Sequence, residues 1–459
     1  MRTALVLLNR DLRLHDHPAL TAACAHADRV TVLFVLDDAM LASRVAAPNR
    51  VAFLLESLAD LREGLRQRGG ELVVRRGDTL EEARAVAREV GAERIDVSAD
   101  VSAWARRRER GLADVAAELG VGLEVHPGLT VVEPTALTTT DGGAYRVFTP
   151  YWRRWSDQPA RTSLPAPDRV PAPDGLEAGP LPDLGDLVTG AVSPGRPRGG
   201  ELAGRHRLDE WLDTDIGDYD DGRDRMADEG TSRLSPYLRF GCVSPTEVVG
   251  RLDLRRRGHE AFLRQLCWRE FNQQLLAAHP DLVTHDLRAQ SRTWHDDPEA
   301  LAAWREGRTG YPIVDAGMRQ LREEGWMHNR ARMLTASLLT KHLLVDWRLG
   351  AWHFMDWLVD GEIANNFAQW QWVAGTGTDT RPNRMLNPVL QGRRHDPQGQ
   401  YVRRYVPELA DLDDGLIHAP WEGGAPPLAA ASYPPPLVDH REARARFLAL
   451  GRGRGARSD

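Results

Sequence analysis

The segment from residue 326 to residue 372 combines residue types that could build a polar ligand site with residue types that form a helical core. Leucines recur in its first half at helical spacing, which predicts one buried helix face. Amides, arginines and carboxylates lie before and after these leucines, and burial alone does not select such residues. They form two groups along the chain, Asn329 with Arg330 and Arg332, and Asp360 with Glu362, Asn365 and Asn366. Cations, carboxylates and amides that converge in this way favour a pocket between helices that binds one polar ligand.

Tryptophan is concentrated in the same part of the chain. Nine of the fourteen tryptophans lie between residues 268 and 372, in about a quarter of the length. A helical core explains any single one of them, because tryptophan is mostly a large packing residue. The clustering favours an additional role for some members of the group.

A second polar motif comes earlier, at residues 230–236, where the chain reads GTSRLSP. Its hydroxyls, its arginine and its backbone N–H groups stand at the predicted start of a helix, which is a suitable place for a phosphate or pyrophosphate. An N-terminal helix cap explains the same residues equally well. The residues alone therefore indicate a helical domain with a candidate anion site, a polar pocket and a concentration of tryptophan.

The composition is that of an ordinary globular protein, with 459 residues and 42% hydrophobic residues. This length predicts two or three domains. The net charge of -7 argues against non-specific coating of nucleic acid, although a local basic groove remains compatible with it. The three cysteines lie far apart, so we expect no disulfide and no metal site. Because we find no signal segment and no apolar run that could span a bilayer, we expect a cytoplasmic protein. We also expect a monomer.

The first part of the chain alternates strand and helix patterns. This alternation predicts a doubly wound parallel α/β domain at residues 1–130. Asn9 and Arg10, rather than a glycine-rich loop, follow the first predicted strand, so ordinary dinucleotide or triphosphate binding is disfavoured. The predicted strands are 3–8, 29–36, 71–76, 94–99 and 122–127, and the predicted helices are 18–27, 50–68, 79–90 and 103–119.

The rest of the chain divides into three parts. Proline, glycine, aspartate and alanine without clear periodicity predict an interdomain linker at 131–200. Helical periodicity then predicts a large all-α domain at 201–450, with helix caps at Ser235-Pro236, Ser244-Pro245 and Asp297-Pro298. The arginine- and glycine-rich end, 451–459, predicts a disordered tail.

Several motifs of the chain resemble the photolyase/cryptochrome family. The resemblance covers essentially the whole chain and includes NRDLRLHDHPAL at 9–20, although Leu8-Asn9 replaces the family's usual aromatic–arginine pair. The most similar subgroup is that of the bacterial cyclobutane pyrimidine dimer photolyases. The other motifs are TSRLSPYLRFG at 231–241, QLCWREF at 265–271, TGYPIVDAGMRQL at 309–321, GWMHNRARM at 325–333 and WQW at 370–372.

The resemblance implies that the helical domain binds a bent FAD. It places the phosphates and ribityl chain near Tyr219 and residues 231–235, and the flavin edge near residues 360–362. Asn366 falls where the family has the residue that faces flavin N5, and a neutral amide there can accept a hydrogen bond from N5–H. The implied FAD-binding residues are Tyr219, Thr231, Ser232, Arg233, Leu234, Ser235, Arg332, Asp360, Gly361, Glu362 and Asn366.

The resemblance also gives a role to part of the tryptophan cluster. Trp370, Trp347 and Trp294 match the family's inner, middle and outer electron-relay residues. Indole is the side chain most easily oxidised in a dry interior, and closely spaced rings allow an electron to travel in short steps. We expect the remaining tryptophans of the segment, Trp304, Trp326, Trp352 and Trp357, to belong to the core.

On the DNA side, the resemblance implies a pyrimidine dimer that is flipped out of the duplex into an opening above the flavin. Trp268 and Trp372 match the family's aromatic clamp, and Asn329 and Met333 match its contacts to the lesion edge. Contacts to the DNA backbone position the duplex without reading its sequence. The matching DNA-facing polar residues are Arg223, Arg330, Arg384 and Gln391.

One residue departs from the cyclobutane-dimer pattern. The position three before Trp268 is usually glutamate in that subgroup and is Gln265 here, as in the (6-4) branch of the family. That branch has a histidine near the lesion where this chain has Asn329 and Met333, so the pocket favours the cyclobutane substrate. The resemblance therefore implies light-driven repair, with Gln265, Asn329 and the three relay tryptophans as the catalytic set. The alternatives are a (6-4) photolyase, a blue-light photoreceptor without repair activity and a dark flavin oxidoreductase, for which we find no nicotinamide site.

The family often carries an antenna chromophore against the α/β domain. Residues 100–109 read DVSAWARRRE and lack the Asn-Glu pair that is associated with folate-binding relatives. This favours a deazaflavin over a folate as the antenna.

Overall fold

The computed structural model describes residues 1–214, 216–289, 293–423 and 432–452. Its N-terminal part is a parallel five-stranded sheet with the strand order β3-β2-β1-β4-β5. The order reverses between β1 and β4, as in doubly wound folds. This confirms the predicted doubly wound α/β fold, and the bounds 1–130 stay a prediction. The strands are β1 Thr3–Leu7, β2 Arg29–Asp37, β3 Leu72–Gly77, β4 Arg94–Ser98 and β5 Gly122–His126, and the helices around them are α1 Pro18–His26, α2 Asp38–Leu41, α3 Pro48–Arg66, α4 Thr79–Glu89 and α5 Ala103–Leu119.

Both faces of the sheet are covered, because the central strands are apolar along their whole length. All five residues of β1 are buried, and its four apolar residues alternate between two cores. Leu5 and Leu7 pack in a core with residues of α4 and α5. Ala4 and Val6 belong to a larger core that also contains Trp211 of the helical domain. The sheet and the helical domain therefore share one hydrophobic core.

The segment 131–200 follows the surface of the α/β domain and contains one α-helix, α6 Phe148–Ser156. Backbone hydrogen bonds join its later part to the sheet, from Val30 N–H to Pro171 O and from Val74 N–H to Ala178 O, both at 2.7 Å. The predicted linker is thus docked on the sheet, and its boundaries stay a prediction.

The described residues from 201 onward contain helices and no strand, which confirms the all-α class predicted for this part of the chain. The bounds 201–450 stay a prediction. None of the described helices is long and apolar enough to cross a bilayer. The predicted tail begins inside the last helix, and residues 453–459 lie outside the described residues. The helices are α7 Glu201–Thr214, α8 Tyr219–Gly222, α9 Ser235–Phe240, α10 Pro245–Gly250, α11 Arg257–Ala278, α12 Pro298–Glu306, α13 Pro312–Glu324, α14 Asn329–Ser337, α15 Trp347–Trp357, α16 Ile363–Ala374, α17 Pro388–His395, α18 Gln400–Tyr405 and α19 His440–Arg452, with a π-helical turn at Leu338–His342.

Two of the three predicted caps are confirmed. The side chain of Ser244 accepts hydrogen bonds from the N–H groups of the first turn of α10, and Asp297 does the same for α12. Ser235 is the exception, because it is the first residue of α9 and does not cap it. Its hydroxyl donates instead to Asp360, in a distant part of the chain.

Candidate functional site

Asp360 connects the predicted cofactor-binding residues. It lies between α15 and α16, and its side chain is only 4% exposed. Oδ2 accepts hydrogen bonds from Ser235 Oγ at 2.6 Å and from Arg332 Nη2 at 2.8 Å. Oδ1 is buried and has no hydrogen-bond partner among the described residues. Because an unpaired buried carboxylate oxygen is costly, this atom indicates a donor that a ligand supplies.

The predicted anion segment, residues 231–235, lies beside Trp326. Trp326 Nε1 donates to Ser235 Oγ at 3.2 Å, and the Arg233 guanidinium lies 4.4 Å from the centroid of the same ring. Arg233 has a φ of 51°, which is uncommon for a residue with a side chain. Arg207 holds this turn from outside, through a 2.9 Å bond to Ser232 O. Trp326 is buried as expected, but its bond to Ser235 also makes it part of the site.

Tyr219 occupies an aromatic cluster of the helical domain. Its ring makes edge contacts with Trp211 and Phe262, each at 5.4 Å between centroids. Burial raises the pKa of its phenol, so the hydroxyl stays protonated and can donate. The neighbouring residue Arg223 is half-exposed and lies 3.4 Å from Asp220.

Glu362 is held by arginines of both domains. Burial alone would raise the pKa of its carboxyl, but Arg269 and Arg10 hold that pKa at about 2. Its Oε1 also accepts a hydrogen bond from Gln273 Nε2 at 3.2 Å. Arg10 follows β1 and donates to Asp100 at 3.0 Å. Glu362 therefore ties the helical domain to the carboxyl edge of the sheet, and its contact with a flavin stays a prediction.

Gly361, between the two carboxylates, allows a close approach of the α/β domain. A Cβ atom at this position would lie 2.8 Å from Arg50 Nη1. The Gly361 carbonyl accepts a hydrogen bond from Arg239 Nε at 3.1 Å. Arg50 donates in turn to Leu358 O at 2.7 Å. The turn that carries Asp360 is thus fixed from both sides.

Asn366 is oriented by its neighbouring helix. Its Nδ2 donates to Ala351 O of α15 at 2.9 Å, so its Oδ1 is the atom left to accept a hydrogen bond. The adjacent Asn365 accepts at 2.8 Å from Asn272 of α11. Gln369 of α16 donates to the same Asn272 at 3.4 Å. This polar seam sets the register between α11 and α16.

The two predicted clamp tryptophans stand on these two helices. Trp268 of α11 stacks on Phe148 of α6, with 3.8 Å between centroids and an angle of 6°. One face of Trp268 is therefore covered, and only the other can receive a base. The role of Phe148 could not be predicted from the sequence, because no local pattern connects this residue to Trp268. Gln265 lies one turn before the clamp, and its Nε2 makes only a long bond of 3.4 Å to Ala261 O.

The second clamp residue, Trp372, lines a small pocket with Met333 and Arg384. Asn329 lies one turn before Met333, and its Nδ2 is 3.9 Å from the Met333 sulfur. These four predicted lesion- and DNA-side residues therefore lie in one region of the helical domain.

Arg330 and Gln391, the other predicted DNA-facing residues, are half-buried. Arg330 Nη2 donates to Asp224 at 2.6 Å. Burial would raise the pKa of Asp224, and the bond to Arg330 lowers it overall. A DNA phosphate would have to share or replace this carboxylate.

The predicted relay tryptophans pack in one hydrophobic core. Trp370 and Trp347 are 3% and 0% exposed, whereas Trp294 is half-buried and reaches the surface. Trp304 was expected in the core and is fully buried there, 6.0 Å from Trp370 between centroids. Of the three relay rings, only that of Trp294 is partly exposed. An electron path from solvent to an interior site requires such an arrangement.

Two family models match the chain, that of DNA photolyase at residues 4–172 and that of the FAD binding domain of DNA photolyase at residues 262–452. A deoxyribodipyrimidine photo-lyase from Streptomyces griseus is 52% identical over 450 residues, which cover 97% of this chain and 98% of the relative.

Two solved structures extend this similarity to the fold. The class III photolyase from Agrobacterium tumefaciens superposes with a TM-score of 0.91 at 36% identity, over 98% of this chain and 97% of that one. A cryptochrome from Synechocystis superposes with a TM-score of 0.89 at 29% identity, over 98% of this chain and 99% of that one.

Proposed function

Because this chain belongs to the DNA photolyase family, we propose that it is a deoxyribodipyrimidine photo-lyase that repairs cyclobutane pyrimidine dimers in DNA. One observation of the site carries the proposal. Arg332, which binds Asp360 beside its unpartnered Oδ1, is followed in α14 by Met333, which lines the pocket of Trp372. A cofactor side and a lesion side thus meet on one helix.

The helical domain binds FAD, since the FAD-binding model covers most of it. The residues fit the group, because Asp360 offers an unpaired acceptor and Asn366 a fixed amide oxygen. Ser235 and Arg332 would hold the Asp360 carboxylate in place, and residues 231–235 would receive the phosphates. When bound and reduced, FAD supplies on light absorption the electron that opens the cyclobutane ring, and the electron returns afterwards.

The lesion-side residues hold the flipped dimer against this cofactor. Trp268 and Trp372 provide flat apolar walls for the two bases, and such stacking compensates for the lost base stacking. Gln265 donates its amide N–H to a dimer carbonyl, and Asn329 and Met333 contact the lesion edge. The DNA backbone is positioned by Arg223, Arg330, Arg384 and Gln391.

Trp370, Trp347 and Trp294 form the path by which bound FAD is reduced from solution. Their burial supports Trp294 as the outer member, because it alone of the three is partly exposed. The path reduces the cofactor and does not contact the lesion. Its loss therefore leaves repair by an already reduced enzyme intact.

A small pocket at the carboxyl edge of the sheet is a suitable place for the antenna. It lies where the strand order reverses, which is the usual ligand position in doubly wound folds. Arg10, Asp100 and Glu133 line it. We favour a deazaflavin over a folate there, and extraction and chromatography of the chromophores from the purified protein test this. Recovery of stoichiometric folate contradicts it.

A photoreceptor without repair activity is the second candidate function, and the structural similarity to a cryptochrome favours it. One experiment distinguishes the repair enzyme from the photoreceptor. Purified, reduced protein is incubated with synthetic cyclobutane and (6-4) lesions, in light and in darkness, and the repaired strands are quantified. We expect light-dependent repair of the cyclobutane lesion alone. Repair of the (6-4) lesion alone would assign the other substrate, and normal photoreduction without repair of either lesion would assign the photoreceptor.

A further inference from the structure

We infer that Asp286 is a positioning residue for electron transfer through Trp347 and that Arg348 opposes it. The inference rests on the relay proposed above. Trp347 is completely buried, and its Nε1 donates to Asp286 Oδ1 at 3.0 Å. The Arg348 guanidinium lies 4.7 Å from the centroid of the same indole ring and donates to the same Oδ1 at 2.8 Å. The middle ring of the relay thus has one anion and one cation in direct contact.

These two charges act on Trp347 in opposite directions. An indole that has lost an electron carries a positive charge, and its N–H becomes a much stronger hydrogen-bond donor. The Asp286 carboxylate stabilises that state by charge and by hydrogen bonding, and the Arg348 guanidinium destabilises it. The carboxylate oxygen is in contact with the N–H itself, whereas the guanidinium lies farther from the ring. The attraction therefore exceeds the repulsion.

The loop that carries Asp286 is fixed before any charge develops. Gln371, between the inner relay residue and the second clamp residue, is fully buried and holds this loop. Its Nε2 donates to Leu282 O at 2.7 Å and to His285 O at 2.8 Å, and its Oε1 accepts from Leu287 N–H at 2.8 Å. A carboxylate held in this way stabilises a new positive charge without reorganisation, as preorganised dipoles do in enzyme sites.

Trp370, after losing one electron to the light-excited flavin, regains one from Trp347 and becomes neutral. Trp347 is then oxidised by one electron, and its N–H proton remains in the hydrogen bond to Asp286. Trp294 reduces Trp347, and a thiol reductant in solution finally reduces Trp294.

The test uses the FAD-loaded protein and laser-flash absorption of oxidised tryptophan. Asp286→Asn keeps the shape of the acceptor but removes its charge, and we expect the yield of oxidised Trp294 and the rate of flavin photoreduction to fall at least about tenfold. Arg348→Met removes the opposing charge, and we expect a yield equal to or above that of the wild type. Asp286→Glu retains the charge and should restore most of the yield.

Two further measurements keep the outcomes distinct. The indole N–H resonance of Trp347, identified by its loss in Trp347→Phe, should shift in Asp286→Asn whether or not FAD is bound. Repair by chemically reduced enzyme should be equal in all three variants. Wild-type yields in Asp286→Asn, or equal losses in Asp286→Asn and Arg348→Met, would overturn the inference. If photoreduction also survives in Trp370→Phe, the relay itself is refuted.

Discussion

Gly350 sets the distance between α15 and α16, and its replacement by alanine tests how closely the relay residues must pack. A Cβ atom at this position would lie 2.3 Å from Cη2 of Trp370 and 2.5 Å from Cδ2 of Leu339. The indole is rigid and buried, so it cannot rotate away without disturbing its neighbours. Gly350→Ala must therefore push the two helices apart or tilt the Trp370 ring.

The magnitude follows from two opposing terms. Overpacking of a core costs about 1–3 kcal/mol, and replacing glycine by alanine inside a helix returns about 1 kcal/mol. Contacts of 2.3 and 2.5 Å to buried side chains put the overpacking cost at the upper end of this range, about 2–3 kcal/mol, so we expect a net loss of about 1–2 kcal/mol in the free energy of unfolding. For a cooperative unit of about 150–250 residues, the size of the helical domain, this loss lowers Tm by about 2–8 °C.

The assay is thermal unfolding followed by circular dichroism, together with the rate of flavin photoreduction in the same samples. Gly250→Ala is the matched control, because a Cβ atom there meets nothing within 4 Å and the residue ends α10 without a positive φ. The control should keep the wild-type Tm or exceed it, with unchanged photoreduction. If Gly350→Ala matches the control in both measurements, the close packing of Gly350 on Trp370 is refuted.

Three further predictions concern single residues. Trp370→Phe blocks photoreduction of oxidised FAD but leaves repair by chemically reduced enzyme largely intact, and unchanged photoreduction refutes the relay. Gln265→Glu leaves the yield of cyclobutane-dimer repair unchanged or raises it, because a carboxyl can offer the radical anion a proton and a stronger hydrogen bond. The difference is worth at most roughly 1.5–3 kcal/mol, about tenfold to a hundredfold on that step. A yield below the wild type contradicts this. Burial lowers the pKa of His328 to about 4 from 6.5, and its Nδ1 caps α14 by accepting from Arg330 N–H at 3.1 Å. The folded state disfavours the charged ring, so the contribution of His328 to the free energy of unfolding is highest above pH 6.5. This stabilisation is lost as the pH falls through 4. His328→Asn, a cap that does not titrate, should remove up to about 3 kcal/mol of that pH dependence in denaturant titrations, and identical pH profiles would contradict it.

The sequence alone determined the strands of the first domain and most of the helices around them. The apolar runs of the first domain coincide with β1 to β5 within one residue at every end, because strand and helix periodicities are set by near neighbours in the chain. The caps Ser244 and Asp297 could also be predicted from the sequence, because a cap and its helix are adjacent in the chain. Clustering of polar residues and tryptophans also predicted a candidate site, because residues that share a helix stay together in any fold.

The tertiary structure decided which of these residues meet. Ser235 looked like a cap in its local sequence, but its hydroxyl bonds Asp360, 125 positions away. Arg10 and Glu362 are 352 positions apart, and their ion pair joins the two domains. The stacking of Phe148 on Trp268 and the bond from Trp347 to Asp286 are likewise invisible in the chain order. Such contacts depend on how whole helices pack and cross, which is fixed by the shape of the shared core and not by the sequence around either partner.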